Sequence, residues 1–269
     1  MGLPYAKTNI VNHMRKFSLF ILLPFLYFTN IAEIPNLGDS AQETKTVKIN
    51  DTLTVNATLL YSEDFSNNLS NWIPQFEKPE STIEIKNGKM EINSKRGCTV
   101  WFTKKLNSPL IIEYDAIMID EGGENDRVSD LNCFWMASDP NSKENSSETI
   151  FRLKGALGDY NYLKLYYVGF GGRNNTTTRF RRYPGDGSRP MLPEHDLSAP
   201  QYLLTGNAVN HIKIINYQGI VQYYRNNQLV FDFYDTEPFS SGYYGLRTTK
   251  NHMTFDNFKV YKITPIKHK

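Results

Sequence analysis

The sequence is poor in the residues that build metal centres and nucleophilic hydrolases. It has two cysteines, Cys98 and Cys133, in 269 residues and no Cys-x-x-Cys pair, which excludes a structural zinc site. The nucleophile motif Gly-x-Ser-x-Gly is absent, and both cysteines lie in apolar, strand-like runs, so hydrolysis has no candidate nucleophile. We therefore predict no cofactor and no metal ligand set, and only a structural divalent ion stays open.

The chain also lacks a large charge of one sign. The net charge is +2, and without residues 1–32, which hold three basic residues and no acid, 27 basic residues face 28 acidic ones. A nucleic-acid-binding protein should carry a clear basic excess, so we exclude nucleic acid as a partner. With 40% hydrophobic residues the chain is too apolar to be disordered, and an aromatic content of 13% favours strands.

The N-terminus has the pattern of a secretory signal peptide. Basic residues precede the apolar run Phe17–Phe28, which ends near Ala32. We assign residues 1–32 to the signal peptide and interpret residues 1–13 as an upstream extension from a misassigned start. The run is too short for a stable membrane span, and Pro24 interrupts it. The sequence thus predicts a secreted or periplasmic bacterial protein, in which the two cysteines either form a disulfide or stay as buried thiols.

Beyond the signal peptide no long stretch has a helical period. Short apolar or alternating runs separated by turn residues predict strands throughout residues 55–265, and residues 33–54 are expected to be an exposed lead-in. The predicted strands are 57–62, 82–86, 89–93, 98–103, 110–119, 131–137, 160–168, 177–183, 209–217, 219–225, 228–234, 241–246 and 253–263. So many strands without intervening helices predict an all-β fold, a single-domain antiparallel β-sandwich of the concanavalin A-like jelly-roll type.

Three stretches are more polar than plain sandwich strands require. In the first, Asp126, Arg127 and Asp130 precede a strand whose alternation places Asn132 and Trp135 on opposite faces. Trp135 could serve as a sugar-stacking platform beside these polar groups. The alternative is that the charged residues form an ion-pair cluster in a loop.

The second stretch is the richest in arginine. Five of the eleven arginines lie in residues 173–189, together with a single acid. Alternation places Arg179, Arg181 and Tyr183 on one face of the predicted strand and Arg182 on the other. Guanidinium groups bind carboxylates through two hydrogen bonds, so an acidic ligand is expected here. The alternative is an exposed strand whose arginines pair with neighbouring acids.

The third stretch contains His195, flanked by Glu194 and Asp196 on a proline-bounded loop, and a later strand pair contains Arg247 and His252. These two histidines are the titratable groups that we expect near a pocket. A structural role is the alternative for each, and their spacing is not a metal motif.

Taken together, these stretches resemble a secreted bacterial domain family of unknown function related to YesU. The resemblance covers roughly residues 58–263 and is carried by residues 126–137, 166–183 and 247–252. It implies a concanavalin-like sandwich encoded among genes for polysaccharide use, especially of rhamnogalacturonan-type pectins. It supplies no agreed catalytic residues.

The leading hypothesis is a carbohydrate-active protein that acts on an acidic plant polysaccharide of the rhamnogalacturonan or pectin type, with β-elimination by a polysaccharide lyase as the favoured chemistry. A lyase must neutralise the uronate carboxylate, remove the α-proton and protonate the leaving oxygen. Arg179 and Arg181 would neutralise, His195 would be the base, and Tyr167 or Tyr183 the acid.

Two alternatives stay open, namely a non-catalytic glycan-binding module and a glycoside hydrolase with paired carboxylates drawn from Asp126, Asp130 and Glu194. In each case the partner is an acidic oligo- or polysaccharide. The predicted substrate-binding residues are Asp126, Arg127, Asp130, Asn132, Trp135, Asn174, Asn175, Arg182, Glu194, Arg247 and His252.

Overall fold

A computed structural model describes residues 42–142 and 148–266. The predicted signal peptide, residues 1–32, and the first part of the predicted lead-in lie outside these ranges. The rest of the lead-in is mostly exposed, and it also contains a strand that the sequence did not predict, Thr44–Lys48, which pairs with the next strand along its whole length. The described part of the chain contains no helix that is long and apolar enough to cross a membrane.

The strands form two antiparallel sheets. Their bounds are β1 Thr44–Lys48, β2 Thr54–Glu63, β3 Trp72–Phe76, β4 Thr82–Lys86, β5 Lys89–Ser94, β6 Cys98–Phe102, β7 Leu106–Asn107, β8 Leu110–Met118, β9 Leu131–Ser138, β10 Lys164–Gly171, β11 Thr177–Pro184, β12 Asp196–Leu197, β13 Val209–Tyr217, β14 Ile220–Arg225, β15 Gln228–Tyr234, β16 Ser241–Thr248 and β17 Asn251–Pro265. Sheet A has the order β1-β2-β17-β8-β13-β14-β15, with β5 on β17 and β4 on β5. Sheet B has the order β12-β11-β10-β9-β16-β6-β3, with β7 on β16. The predicted β-sandwich is confirmed.

The main core lies between the two sheets and is unusually aromatic. The ring of Trp72 packs against Phe102 at 5.2 Å, Phe255 at 5.5 Å and Phe258 at 5.0 Å between centroids. Offset and edge-on pairs of this kind stabilise a core beyond the burial of their area. The contacts join the start of the domain to its last strand, which runs beside β2.

Turn chemistry sets the register of the hairpins. Asn226 and Asn227 have φ of 50° and 64° and connect β14 to β15, as the sequence predicts. Asparagine tolerates positive φ, and two such residues form the turn whose twist matches paired antiparallel strands.

The outer face of sheet B is partly covered by residues 149–163, which we call the covering segment. It contains most of the helical turn Glu148–Phe151 and the 3-10 helix Leu157–Tyr160. Tyr160 packs on Trp101 and Phe134 at 5.8 and 5.1 Å between ring centroids. The covering segment and the outer face of sheet B thus form a second apolar core.

Two buried polar side chains of sheet B hold the covering segment in place. Gln75 donates from Nε2 to the carbonyl of Ile150 at 2.6 Å, and its Oε1 accepts from the Tyr160 hydroxyl at 2.7 Å. Arg247 donates from Nη1 to the carbonyl of Gly155 at 2.8 Å. Because both side chains are buried, these hydrogen bonds are shielded from water and fix the segment against the sheet.

Candidate functional site

A cavity of about 280 Å³ opens on the outer face of sheet B beside the covering segment. We call it the cationic cavity. It is lined by Asp130, Leu157, Tyr167, Gly169, Gly172, Arg173, Thr177, Arg179, Arg181, Tyr183 and Arg189. Strand alternation along β11 brings Arg179, Arg181 and Tyr183 to this face together, as predicted.

The cavity holds more positive charge than the protein neutralises. Arg179 is paired with Asp196, with Nε to Oδ1 at 2.7 Å and Nη2 to Oδ2 at 2.9 Å. Within residues 42–142 and 148–266 no carboxylate forms an ion pair with Arg173, Arg181 or Arg189. Arg181 instead donates to the carbonyl of Arg189. Three guanidinium groups are therefore available to an anion.

A left-handed turn between β10 and β11 positions one of these groups. Arg173, Asn174 and Asn175 have φ of 51°, 58° and 59°. The side chain of Asn175 fixes the turn, because its Nδ2 donates to the carbonyl of Leu204 at 2.9 Å and its Oδ1 accepts from that residue's N–H at 2.8 Å. Both polar atoms of the Asn175 side chain are thus used by the fold, and its predicted substrate-binding role stays a prediction. Asn174 is exposed on the same turn and does not line the cavity.

Two tyrosines line the cavity. The rings of Tyr167 and Tyr183 lie 5.8 Å apart between centroids. Burial raises the pKa of Tyr167 well above its usual value. Burial also raises the pKa of Tyr183, and the positive charges of Arg189 and Arg181 oppose that rise. Both phenols are therefore neutral hydrogen-bond donors, and the arginines offset only part of the effect of burial on Tyr183.

The cavity has one carboxylate among its lining residues, that of Asp130, and four side chains already donate hydrogen bonds to it. Oδ2 of Asp130 accepts from Arg127 at 2.7 Å, Ser129 at 2.6 Å and Thr249 at 2.9 Å. Asn132 donates to its Oδ1 at 3.4 Å. The expected loop ion pair between Arg127 and Asp130 is therefore present.

Trp135 is not a sugar platform. It is fully buried between the sheets and packs on Tyr166 and Phe180 at 5.5 and 6.0 Å between centroids. The predicted alternation along β9 is correct, but the face that carries Trp135 is the inner one. Asn132 lies on the other face, where it is buried and donates to Asp130.

His195 does not line the cationic cavity, so the geometry gives it no part as a base there. It is 5% exposed and packs edge-on against Phe180 at 4.9 Å, on the inner side of β11. Phe231 and Phe233 surround it at 5.7 Å each. Burial lowers its pKa, with a small opposing effect of Glu194. Glu194 itself is exposed and also lies outside the cavity lining.

Four further predicted binding residues are engaged elsewhere. Arg182 points away from the cavity and pairs with Asp235 at 2.7 Å. His252 lies on sheet A between Asp126 at 2.8 Å and Glu91 at 3.0 Å. Arg247 is buried beneath the covering segment. The structure therefore separates Asp126, Arg182, Arg247 and His252 from the cationic cavity.

The sequence interpretation missed several lining residues. Arg173 and Arg189 belong to the arginine-rich stretch, and that clustering could have identified them as part of the site. Leu157 had no such signal, because it reaches the cavity only through the placement of the covering segment. Among the residues that the structure describes, no group of three histidine, cysteine or acidic side chains could hold a metal ion.

Comparison with known proteins identifies the family and the fold. Residues 92–258 match the model of a domain of unknown function, DUF6250, and the chain belongs to that family. It is similar to a protein of unknown function with a galectin-like fold from Bacillus subtilis, with 13% identity over 77% of this chain and 97% of that one and a TM-score of 0.61. No curated protein matches the chain in sequence.

Two glucan-degrading enzymes share the fold. For the endo-β-1,3-glucanase from Pyrococcus furiosus the identity is 11% over 82% of this chain and 99% of that one, with a TM-score of 0.57. For the laminarinase catalytic domain from Thermotoga maritima the identity is 12% over 77% and 98%, with a TM-score of 0.54. At such identities the similarity establishes the fold and no activity.

Proposed function

We propose that this DUF6250 protein binds an acidic carbohydrate in the cationic cavity. The observation that carries the proposal is the presence of three guanidinium groups, those of Arg173, Arg181 and Arg189, without a carboxylate partner among the described residues. They line one cavity together with two tyrosine side chains.

The chemistry of the lining suits a uronic acid. A guanidinium binds a carboxylate through two parallel hydrogen bonds, and a charged hydrogen bond is stronger than a neutral one. Tyr167 and Tyr183 are 9% and 1% exposed, so they offer a sugar their hydroxyls and not their ring faces, and these hydroxyls can bond the hydroxyls of the sugar. A largely formed cavity with a few convergent polar groups is the usual form of a small-ligand site.

The fold and the sequence support a carbohydrate ligand. The two glucan-degrading enzymes are built on the same sandwich, and the resemblance to the family related to YesU points to rhamnogalacturonan-type pectin. Pectic chains carry uronates, whose carboxylates would pair with the arginines that have no carboxylate partner in the protein. A secreted or periplasmic location, which the N-terminal pattern predicts, would bring the protein to such a polymer.

Lyase chemistry is a second candidate, favoured by the two phenols beside the arginines. In β-elimination Arg181 would hold the carboxylate, and Tyr183, after losing its own proton to solvent, would take the proton from C5. Because burial raises the pKa of Tyr183, this chemistry requires an alkaline pH. The C5–H electrons would form the C4–C5 double bond as the C4–O bond breaks, and Tyr167 would protonate the leaving oxygen. Tyr183 takes the role first assigned to His195. Hydrolysis by paired carboxylates loses its support, because only Asp130 of the three candidates lines the cavity.

Calorimetric titration with galacturonate tests binding of the acidic sugar, and galactose, which lacks the carboxylate, is the neutral control ligand. We expect galacturonate to bind and galactose to bind at least about tenfold more weakly, since charged hydrogen bonds contribute about 1.5–3 kcal/mol. Arg181→Ala should remove most of the difference. Arg96→Ala is the matched control, because Arg96 is exposed and paired with Glu77. Equal binding of the acid and the neutral sugar would refute the proposal.

The lyase candidate is tested by the ultraviolet absorbance of an unsaturated product during incubation with pectic oligomers. A rising absorbance that Tyr183→Phe abolishes would support it. Binding without any rise in absorbance would leave the protein as a binding module.

A further inference from the structure

We infer that the cationic cavity accepts the terminal uronic acid of a chain and excludes internal residues. The inference rests on the proposed function and deepens it, since it specifies which part of the acidic carbohydrate binds. Its basis is the covering segment, which closes the path that an extended polysaccharide would take across sheet B.

The strands of sheet B alone would leave a broad face for an extended chain. Sheet B runs in the order β12-β11-β10-β9-β16-β6-β3, and the cationic cavity lies over β11 and β10, near one edge of the sheet. Beyond it, Phe134 of β9, Tyr243 of β16 and Trp101 of β6 are all buried in the second core under the covering segment. A glycan entering over β11 therefore meets protein before it reaches the middle of the sheet.

The wall at this point is Leu157. Its side chain packs against the second core and also lines the cavity, so the covering segment ends where the cavity begins. The wall is well anchored, because Gln75 and Arg247 bond the segment at the carbonyls of Ile150 and Gly155. On another side, the left-handed turn carrying Arg173 borders the cavity.

The size of the cavity agrees with one sugar. Its volume of about 280 Å³ lies just below the range for drug-sized ligands, roughly 300–1,000 Å³. The arginines without a carboxylate partner line this one compartment, so we expect the acid group to belong to the sugar inside it. A sugar in the interior of a polysaccharide has a neighbour on each side, and on one side that neighbour would clash with Leu157.

The experiment compares three probes by calorimetry on the full mature protein: galacturonate, a trisaccharide with a terminal galacturonate, and a trisaccharide whose only galacturonate is central. We expect the first two to bind within about threefold of each other and the third to bind at least tenfold more weakly. Equal binding of the two trisaccharides would overturn the inference while leaving acidic-carbohydrate binding intact. Failure of all three probes would overturn the proposed function as well.

A pair of variants tests the wall directly. Leu157→Ala should raise affinity for the trisaccharide with the central acid at least threefold and change galacturonate binding little. Leu153→Ala is the matched control, since Leu153 packs in the same second core but does not line the cavity. If both variants raise affinity equally, loosening of the segment and not the wall is responsible, and the inference fails. A thermal melt of each variant confirms that it is folded.

Discussion

Arg179 and Asp196 form a two-bonded ion pair across the β11–β12 edge, at directly opposed positions of the two strands. The pair distinguishes Arg179 from the other cavity arginines, because its charge is already matched. The hydrogen bond from Arg179 also lowers the pKa of Asp196 below its usual value. Asp196 is thus an internal competitor of any acidic ligand.

Replacing this competitor should strengthen ligand binding. In Asp196→Asn the guanidinium of Arg179 becomes available, and we expect affinity for galacturonate to rise by roughly 2–5-fold, in line with the modest strength of exposed ion pairs. Calorimetry measures the change. Asp186→Asn is the matched control, because Asp186 bonds only within its own turn to Ser188. A fall in affinity would mean that Asp196 supports the site and does not compete for it.

Gly169 is expected to be essential for the position of Tyr167. A Cβ atom at Gly169 would lie 2.6 Å from the Tyr167 hydroxyl, which is far too close. Gly169→Ala should therefore displace the Tyr167 ring and weaken galacturonate binding by at least about tenfold, the loss expected for one good hydrogen bond and its packing. Gly158→Ala, at a position with open space, should bind like the wild type.

Gln75 should be a stability determinant despite its distance from the ligand. Gln75 donates to the carbonyl of Ile150 and accepts from Tyr160, and it also accepts a hydrogen bond from Nε1 of Trp101 at 2.9 Å. Gln75→Leu removes one hydrogen-bond partner from each of three buried polar groups, and we expect it to lower the free energy of unfolding by about 3 kcal/mol. Urea denaturation measures this, with the exposed Gln201→Leu as control. An unchanged midpoint would show that the covering segment does not depend on these bonds.

His195 should make the fold sensitive to mild acid. Burial lowers its pKa in the folded state, so the unfolded chain binds a proton more readily at this residue. The contribution of neutral His195 to the free energy of unfolding is therefore complete above the pKa of histidine in the unfolded chain, about 6.5. This contribution is lost as the pH falls below that value. We expect the stability difference between His195→Phe and the wild type to shift in favour of the variant from pH 7 to pH 5. A constant difference in urea melts across this range would contradict the assignment.

The two cysteines should be inert in the folded protein. Both are free and buried, and burial raises the pKa of each thiol to about 12. Because the thiolate is the reactive form, iodoacetamide at pH 8 should label neither residue until the protein unfolds. Mass spectrometry before and after denaturation measures the labelling. Native labelling of either thiol would show that the main core opens.

Much of the fold could be predicted from the sequence, because turn residues and alternation are local signals. The hairpin turn at Asn226 is an example, and so is the shared face of Arg179, Arg181 and Tyr183. The very short strands β7 and β12 were missed, since two residues carry no periodicity. Alternation also could not say which face of β9 is inner, because both faces are buried there and Trp135 therefore looks the same as Phe134.

The sequence predicted only the part of the site that lies on a single strand, β11, where alternation places Arg179, Arg181 and Tyr183 on one face. His195 follows the arginine stretch closely in sequence, but the loop that carries it crosses to the inner side of β11. His252 and Asp126 meet each other on the other sheet through pairing that is remote in sequence. Leu157 reaches the cavity through a segment that looks like an ordinary surface connection. Such placements depend on long-range packing and leave no local pattern.

The second core under residues 149–163 constrains how this domain can be re-engineered. Deleting that region would not create an open, hydrated groove of the kind that binds a long polysaccharide. The deletion would expose the hydrophobic rings of Trp101, Phe134 and Tyr243, and an exposed apolar patch of that kind promotes aggregation. Any conversion to such a groove would require those aromatic side chains to be replaced by hydrophilic ones in the same step.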